Sequence, residues 1–171
     1  MQINTLVLGE LETNTYFLEI DNELLIVDPA SDFDIIRHHI GNKKLLGVLL
    51  THHHFDHIGA LEETLNYYDV PLYDFNNFHD EVSIGKFKFK MLKTLGHTMD
   101  SVTFYFEEDK AMFVGDFIFR GSIGRTDLGG DPKLMEESIN FIKNYSGVTL
   151  YPGHGEETEL DFEKQNNIYL Q

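Results

Sequence analysis

The sequence predicts an α/β protein built from two mixed halves that pack against each other. Short β-type runs alternate loosely with helical segments, and this rhythm occurs once in each half of the chain. The 171 residues include 42% hydrophobic and 25% charged residues, which is ordinary for a globular protein with a buried core. We therefore expect one domain that spans residues 1–171.

The first half opens with β-type runs at residues 3–8, 15–20 and 24–28. The second of these runs alternates apolar and polar residues, as a half-buried strand does. A helix is predicted over residues 31–41, with Ser31 or Asp32 as its N-cap and Gly41 at its end. The continuous apolar run at residues 45–51 is typical of a strand that is buried on both faces.

A second helix is predicted over residues 57–69, because its apolar side chains follow the 3.6-residue period at Ile58, Leu61, Leu65 and Tyr68. Further β-type runs lie at residues 86–92, 102–107 and 111–116. The Gly-rich residues 121–131 predict a loop. The remaining segments predict a helix at 132–145 with Pro132 in its first turn, a last strand at 147–155, and a helix or coil at 162–170.

Charge and composition exclude several classes of partner. Thirteen Lys and Arg residues against 29 Asp and Glu residues give a net charge of −16, which repels nucleic acids and anionic membrane surfaces. The sequence contains no cysteine, so disulfides, a Cys nucleophile and thiolate metal ligands are excluded. Its beginning lacks the pattern of a signal peptide and no apolar run could span a bilayer, so we expect a cytoplasmic location and no membrane partner. The oligomeric state stays open.

Histidines and aspartates collect where predicted strands end. The densest group is "THHHFDH" at residues 51–57, in which His52, His54 and Asp56 point the same way if the segment is extended. His57 lies where the chain turns into the next helix, and the other groups contain His97 in "LGHT", Asp116 in "FVGD" and His154 in "YPGHG". Imidazoles and carboxylates are preferred ligands of zinc and similar metals. The set exceeds one tetrahedral site, so it predicts two metal ions bridged by a carboxylate.

Each of the isolated residues also has a structural interpretation. His154 alone could be a hydrogen-bonded loop residue, and Asp116 alone could cap a turn. His53 points away from His52 and His54 in an extended segment, so we expect that it is not a ligand. The histidines outside the motifs, which we expect to carry no chemistry, are His38, His39 and His79.

The motifs "THHHFDH", "GHT", "GD" and "PGHG", in this order, resemble those of the metallo-β-lactamase superfamily. The stretches "FRGSIGRTDLGGD" and "YPGHGEETELDFEKQNN" are similar to the single-domain, glyoxalase II-like hydroxyacylglutathione hydrolases of bacteria. The resemblance covers essentially the whole chain. It implies a four-layer αβ/βα sandwich, in which two mixed β-sheets face each other, helices cover both outer faces and the metals lie at one edge.

The resemblance also implies a role for each motif residue. One metal would be held by the first triad, which is His52, His54 and His97. A second metal would be held by the second triad, which is Asp56, His57 and His154. Asp116 would bridge the two ions, Asp28 would brace the ligand loop, and Thr98 is a candidate to orient a ligand imidazole. The implied cofactors are two divalent ions, zinc in the first place, with iron or manganese as alternatives.

The implied function is a binuclear hydrolase of thioesters of the S-2-hydroxyacyl-glutathione type. A hydroxide that bridges the two ions would attack the carbonyl, with Asp56 and Asp116 as the catalytic carboxylates that hold the ions. A thiolate leaving group is stable at neutral pH and requires no general acid. Arg120 and Arg125 in the Gly-rich loop are candidates to hold a substrate carboxylate, although a loop arginine can equally bond backbone carbonyls.

Two departures from the family pattern bear on the substrate. Met99 and Asp100 stand where relatives often have Pro-Gly, and we expect no counterpart of the C-terminal helical domain that supplies much of the glutathione site in two-domain relatives. The alternatives are a mononuclear iron persulfide dioxygenase and a non-catalytic metal-binding protein. A zinc β-lactamase is disfavoured because many of these enzymes use Cys in the second site, and an RNA-processing nuclease is disfavoured by the charge of −16.

Overall fold

A five-stranded mixed sheet forms from the first half of the chain in the computed structural model, which describes residues 1–171. Its strands, which lie in sequential order, are β1 (Gln2–Leu8), β2 (Thr13–Ile20), β3 (Glu23–Val27), β4 (Lys44–Leu49) and β5 (Leu72–Tyr73). The first three strands pair antiparallel, whereas β3–β4 and β4–β5 pair parallel. The switch to parallel pairing requires helical crossovers between the later strands.

A six-stranded sheet forms from the second half. Its strands are β6 (Glu81–Ile84), β7 (Phe87–Lys93), β8 (Val102–Phe106), β9 (Ala111–Gly115), β12 (Thr149–Pro152) and β13 (Thr158–Glu159). The order across the sheet is β13-β12-β9-β8-β7-β6, and only the β9–β12 pair is parallel. Between β9 and β12 lies a small hairpin of β10 (Ile118–Phe119) and β11 (Ser122–Ile123). Strand β11 falls within the predicted loop at residues 121–131, whereas β10 precedes it.

The four helices are α1 (Phe33–Ile40), α2 (Leu61–Tyr68), α3 (Pro132–Ile142) and α4 (Leu160–Asn166). Asp32 is the N-cap of α1 in a left-handed conformation, but its side chain makes no capping bond, and Gly41 ends the helix as predicted. Asp131 caps α3 by accepting hydrogen bonds from the N–H groups of Lys133 and Leu134. Pro132 follows in the first turn of that helix, where its missing N–H costs nothing.

The helix predicted over residues 57–69 begins later than the apolar period indicates. The His57 N–H donates to the His54 carbonyl in a turn, and α2 starts only at Leu61. Gly59 is required in this turn because a Cβ there would lie 2.2 Å from the Ala30 carbonyl oxygen. The turn therefore keeps the ligand segment, residues 51–57, close to the chain that follows β3.

Three buried layers of side chains hold the fold together. The central layer lies between the two sheets and includes Leu18, Leu49, Phe87, Phe104 and Phe113. One outer layer packs α1 on the first sheet through residues such as Phe17, Ile26 and Ile36. The other packs α3 and α4 on the second sheet through residues such as Val114, Ile142 and Leu160. This arrangement confirms the predicted four-layer αβ/βα sandwich.

Strand β2 is more deeply buried than its alternating sequence predicts. Residues 13–18 are all buried, so the expectation of a half-buried strand is wrong. Phe17 packs toward α1 while Leu18 packs into the central layer, and therefore both faces are covered. The polar side chains on this strand are satisfied internally: the Thr15 hydroxyl donates to the Asp28 carbonyl and the Asn14 amide donates to the Pro152 carbonyl.

None of the four helices has the length and the apolar character that a membrane span requires.

Candidate metal centre

The first triad converges at the edge of the sandwich, just beyond the ends of β4 and β7. His54 Nδ1 lies 3.1 Å from His52 Nε2 and 3.0 Å from His97 Nε2. His52 and His97 are almost completely buried, at 1% and 3% exposure. Three imidazole nitrogens therefore point at one small volume, which is the arrangement that a tetrahedral metal requires of its protein ligands.

The second triad lies beside the first. Asp56 Oδ2 is 3.2 Å from His154 Nε2 and 3.5 Å from His57 Nε2. His57 is fully buried, whereas His154 is partly exposed in the turn after β12. The ligand atoms within each triad all lie within 4.8 Å of one another.

Asp116 lies between the two triads, immediately after β9. Its Oδ1 atom is 3.4 Å from His57 Nε2, and its Oδ2 atom is 3.5 Å from both His97 Nε2 and His154 Nε2. One carboxylate thus faces ligands of the first and the second triad at once, as a bridging ligand must.

Two buried polar atoms in this centre have no hydrogen-bond partner. They are His57 Nε2 and Asp116 Oδ1. Leaving such atoms buried and unpaired costs free energy, so their presence in a folded protein requires an explanation. A divalent cation held here would satisfy both atoms, and the nitrogen and oxygen donors around them are those that zinc, iron or manganese accept.

In each of the five imidazoles of the triads, the ring nitrogen that points away from the centre also has a hydrogen-bond partner. These partners fix the orientation of each ring. The pairs are His52 Nδ1 with Thr51 Oγ1 (3.1 Å), His54 Nε2 with the Leu128 carbonyl (3.3 Å), His57 Nδ1 with Asp28 Oδ2 (2.8 Å), His97 Nδ1 with the Arg125 carbonyl (2.7 Å) and His154 Nδ1 with the Leu11 carbonyl (3.0 Å). A ring N–H donated outward leaves the inward nitrogen with its lone pair. The tautomers are therefore set for metal binding.

Asp28 connects the ligand segment to the end of β3. Its Oδ1 atom accepts from the Thr51 N–H at 2.8 Å, and its Oδ2 atom accepts from the Thr51 hydroxyl at 2.7 Å and from His57 Nδ1 at 2.8 Å. The residue is buried and left-handed, with φ 49°, so its carboxylate turns back toward the triads. These contacts are those of a residue that braces the ligand loop.

Thr98 does not orient a ligand imidazole. Its hydroxyl shares a hydrogen bond with Ser101 Oγ at 2.6 Å, so the role predicted for it falls to Thr51, whose hydroxyl faces His52. The sequence interpretation also missed Thr13, whose hydroxyl donates to Asp56 Oδ2 at 2.9 Å. Thr51 directly precedes the motif and could have been suspected, whereas nothing in the sequence marks Thr13.

Gly153 lets the last turn approach the centre closely. A Cβ at this position would lie 2.3 Å from Asp116 Oδ1 and 2.6 Å from His57 Cε1. The Gly153 N–H donates to the Gly115 carbonyl, and its carbonyl accepts from the Asn14 N–H. The turn that carries His154 is therefore held by strands of both sheets.

The two triads differ in their affinity for protons. Burial lowers the pKa of His52 and of His97. Burial also opposes a charge on His57, but the Asp28 and Asp116 carboxylates outweigh it and raise the pKa of His57 to about 10. The Asp116 carboxylate, 3.5 Å from Nε2 of His154, raises the pKa of His154. Burial favours the neutral form of Asp116, yet its histidine neighbours hold its pKa well below the ordinary value.

His53 points out of the centre, as expected for a residue that is not a ligand. Its Nδ1 atom lies 2.5 Å from Asp100 Oδ2 and its Nε2 atom lies 3.3 Å from Asp74 Oδ2. Asp100, which with Met99 replaces the Pro-Gly of many relatives, therefore links its loop to residues 51–57 and does not enter the centre. His38, His39 and His79 all lie outside the triads.

A cavity of about 820 Å³ opens onto both triads. Its walls include Leu11, Phe55, Phe119, Ile123, Arg125 and Leu128.

The two arginines predicted to hold a substrate carboxylate are already paired: Arg125 binds both carboxylate oxygens of Asp127 at 2.6 Å, and Arg120 binds Glu156 at 2.6 Å. A substrate carboxylate would compete with these acidic side chains for the guanidinium groups.

The sequence matches known proteins over its whole length. A family model described as the metallo-beta-lactamase superfamily matches residues 8–74 and 67–154. The chain is 32% identical to the probable metallo-hydrolase YqgX of Bacillus subtilis, over 99% of this chain and 98% of that protein. It is 34% identical to the hydroxyacylglutathione hydrolase of Hahella chejuensis over 75% of this chain, but the match spans only 56% of that protein.

Solved structures show the same fold. The crystal structure of BLEG-1 B3 metallo-beta-lactamase superposes with a TM-score of 0.93 and 30% identity, covering 99% of this chain and all of that chain. TTHA1623 in a di-iron-bound form gives a TM-score of 0.87 and 28% identity, covering 98% of this chain and 100% of that one. ETHE1 from Myxococcus xanthus gives a TM-score of 0.88 and 26% identity over 98% of this chain and 84% of that chain.

Proposed function

The chain belongs to the metallo-beta-lactamase superfamily, and we propose that within it the protein is a binuclear metal-dependent hydrolase of thioesters. The observation that carries the proposal is the position of Asp116, whose two carboxylate oxygens face ligands of different triads. Two metal ions held a few ångströms apart by such a carboxylate are typical of hydrolytic centres. The two unpaired buried atoms at this place support the same proposal.

His52, His54 and His97 would hold one ion. Asp56, His57 and His154 would hold the other. When bound, the two ions supply a hydroxide at neutral pH and polarise the substrate carbonyl. Asp116 keeps the triads at a fixed separation, and Asp56 adds negative charge to the second triad. The Thr13 hydroxyl holds the Asp56 carboxylate by its hydrogen bond of 2.9 Å.

A thioester suits this centre better than an amide or a phosphate ester. A thiolate leaves without protonation at neutral pH, so hydrolysis needs no general acid beside the cavity. Similarity to the hydroxyacylglutathione hydrolase of Hahella chejuensis supports 2-hydroxyacyl thioesters as the acyl class, with glutathione as the first thiol to assay. Since that match spans about half of the relative's length, the thiol carrier is a separate question.

The first experiment is a metal analysis of the purified, untagged chain by plasma mass spectrometry, followed by a thioester panel on the metal-loaded protein. We expect about two zinc, iron or manganese ions per chain and release of free thiol from 2-hydroxyacyl thioesters. Two bound ions without turnover of any thioester would contradict it. One tightly held iron, with oxygen uptake in the presence of a persulfide, would favour the dioxygenase alternative.

A second candidate function is hydrolysis of β-lactams. It is favoured by the similarity to BLEG-1 B3 metallo-beta-lactamase over the whole of both chains. The absence of cysteine does not argue against it here, because Asp56, His57 and His154 supply a complete second triad without a thiolate. Hydrolysis of a chromogenic cephalosporin by the same metal-loaded preparation tests this activity, and the ratio of its kcat/KM to that for thioesters ranks the two candidates.

A further inference from the structure

Exposed apolar side chains surround the mouth of the cavity that opens onto the triads. Phe55 is 75% exposed, Leu11 is 51% exposed and Leu128 is 54% exposed. They come from three separate segments: the loop before β2, the ligand segment, and the Gly-rich loop after β11. Apolar side chains left in water around a concave site indicate that an apolar group binds there.

The charges around the same mouth disfavour an anionic ligand. Arg125 is the one Lys or Arg residue in the cavity wall, and its Nε and Nη2 groups both donate to the carboxylate of Asp127. Arg120 is engaged by Glu156, and the whole chain carries a net charge of −16. A ligand with two carboxylates would be repelled during approach and would lose hydration beside apolar walls without gaining a free cation.

We propose that the cavity selects thioesters whose thiol part is uncharged and apolar, and that Phe55, Leu11 and Leu128 are the specificity-determining residues. This inference rests on the proposed thioester hydrolase function. In a thioester with a small 2-hydroxyacyl group the thiol is the larger part, and it would extend into the mouth when the carbonyl lies at the triads. The apolar side chains there gain contact with an apolar thiol and are removed from water.

The test compares thioesters that share one 2-hydroxyacyl group and differ only in the thiol. The thiols are benzyl mercaptan, which is neutral and apolar, N-acetylcysteamine, which is neutral and small, and glutathione, which carries two carboxylates. We expect kcat/KM to decrease in that order, with at least about a tenfold difference between the first and the last, comparable with the burial of one aromatic ring. The middle thiol separates the effect of charge from that of apolar area.

Two variants test whether the preference for an apolar thiol comes from the side chains at the mouth of the cavity. Phe55→Ala and Leu11→Ala should each raise KM for the benzyl thioester more than for the N-acetylcysteamine thioester, with little effect on kcat, because the lost contact is equally present in ground and transition states. Leu11 touches the centre only through its backbone carbonyl, which faces His154 Nδ1 and which Leu11→Ala retains. Two bound ions in both variants, measured by metal analysis, would show that the effect on KM does not come from a disturbed metal site. Phe162→Ala is the matched control, since Phe162 is also exposed, at 48%, but lies on α4 outside the cavity wall.

Binding of thioether analogues keeps this inference separate from the hydrolase proposal. In these analogues a methylene group separates the carbonyl from the sulfur, and calorimetry on the metal-loaded protein ranks the same three thiols without turnover. Hydrolysis of all three thioesters with glutathione equal or preferred would overturn the apolar selection and leave the hydrolase proposal intact. Failure to hydrolyse any of them, with tighter binding of the benzyl analogue, would overturn the hydrolase proposal and support apolar selection at the mouth. Equal binding of the three analogues would overturn the proposed selection by the apolar side chains at the mouth.

Discussion

Replacing Asp28 by Asn should weaken the binding of the second metal ion while leaving the fold in place. In the native protein the carboxylate accepts three hydrogen bonds, two from Thr51 and one from His57. An amide offers only one acceptor oxygen. If that oxygen faces the Thr51 N–H, the NH₂ group faces His57 Nδ1, which must then accept. The proton of His57 moves to Nε2, the atom that should bind the metal.

The size of the effect follows from two opposing consequences of the lost charge. Asp28 is one of the groups that raise the pKa of His57 to about 10, so its removal reduces competition by protons. A divalent ion, however, feels the lost negative charge about twice as strongly as a proton does, and the wrong tautomer adds to the loss. Outer partners of metal-binding histidines typically contribute 10- to 100-fold in affinity, which corresponds to about 1.4–2.8 kcal/mol.

A zinc titration against a chromogenic chelator at one fixed pH measures both binding steps. We expect the second equivalent to weaken by about 10- to 100-fold in the Asp28→Asn protein and the first to change less. Asp32→Asn is the matched control, because Asp32 also has a positive φ but its side chain contacts only Ser31. Unchanged affinity for both ions in Asp28→Asn would refute the bracing role of this residue.

Three further predictions concern the same centre. Asp116→Ala should lose most activity and one metal equivalent, because no other carboxylate faces both triads; full activity with two bound ions would rule out the bridge. Gly153→Ala should also lose the second ion, since its Cβ would lie 2.3 Å from Asp116 Oδ1, and metal analysis of a folded variant with both ions would disprove this. Acid should remove the second-triad ion first, because the pKa values of His57 and His154 are raised, and protons therefore compete there as the pH falls. Activity should fall below about pH 6, and unchanged metal content and rate at pH 5 would contradict the loss in acid. Loss of the first-triad ion before the second-triad ion would contradict the order.

The sequence was sufficient for the four-layer fold and for bringing the seven motif residues to one edge. The ligand motifs are short and local, and each directly follows an apolar strand whose position the apolar run reveals. The burial of β2 on both faces could not be predicted, because it depends on α1 covering a strand whose polar residues suggest exposure. The late start of α2 likewise depends on the close approach of Gly59 to the Ala30 carbonyl, a contact between separate segments.

The groups that orient the ligands were the hardest to predict. Three of the five ligand imidazoles donate to backbone carbonyls, at Leu11, Arg125 and Leu128, and a carbonyl has no signature in a sequence. Thr13 reaches Asp56 from a strand that is 43 positions earlier in the chain. Such contacts follow from the docking of the two sheets and not from local pattern.

The distribution of the two triads along the chain would make a bound metal ion a tether between the two halves. Each triad takes two of its members from the segment that follows β4 in the first sheet, and one, His97 or His154, from the second sheet. Neither half supplies a complete triad, so an ion bound to a complete triad would resist their separation. At a free ion concentration a thousand times the Kd, this linkage contributes about 4 kcal/mol per site. The resistance of the chain to proteolysis should therefore follow the metal supply of its cell.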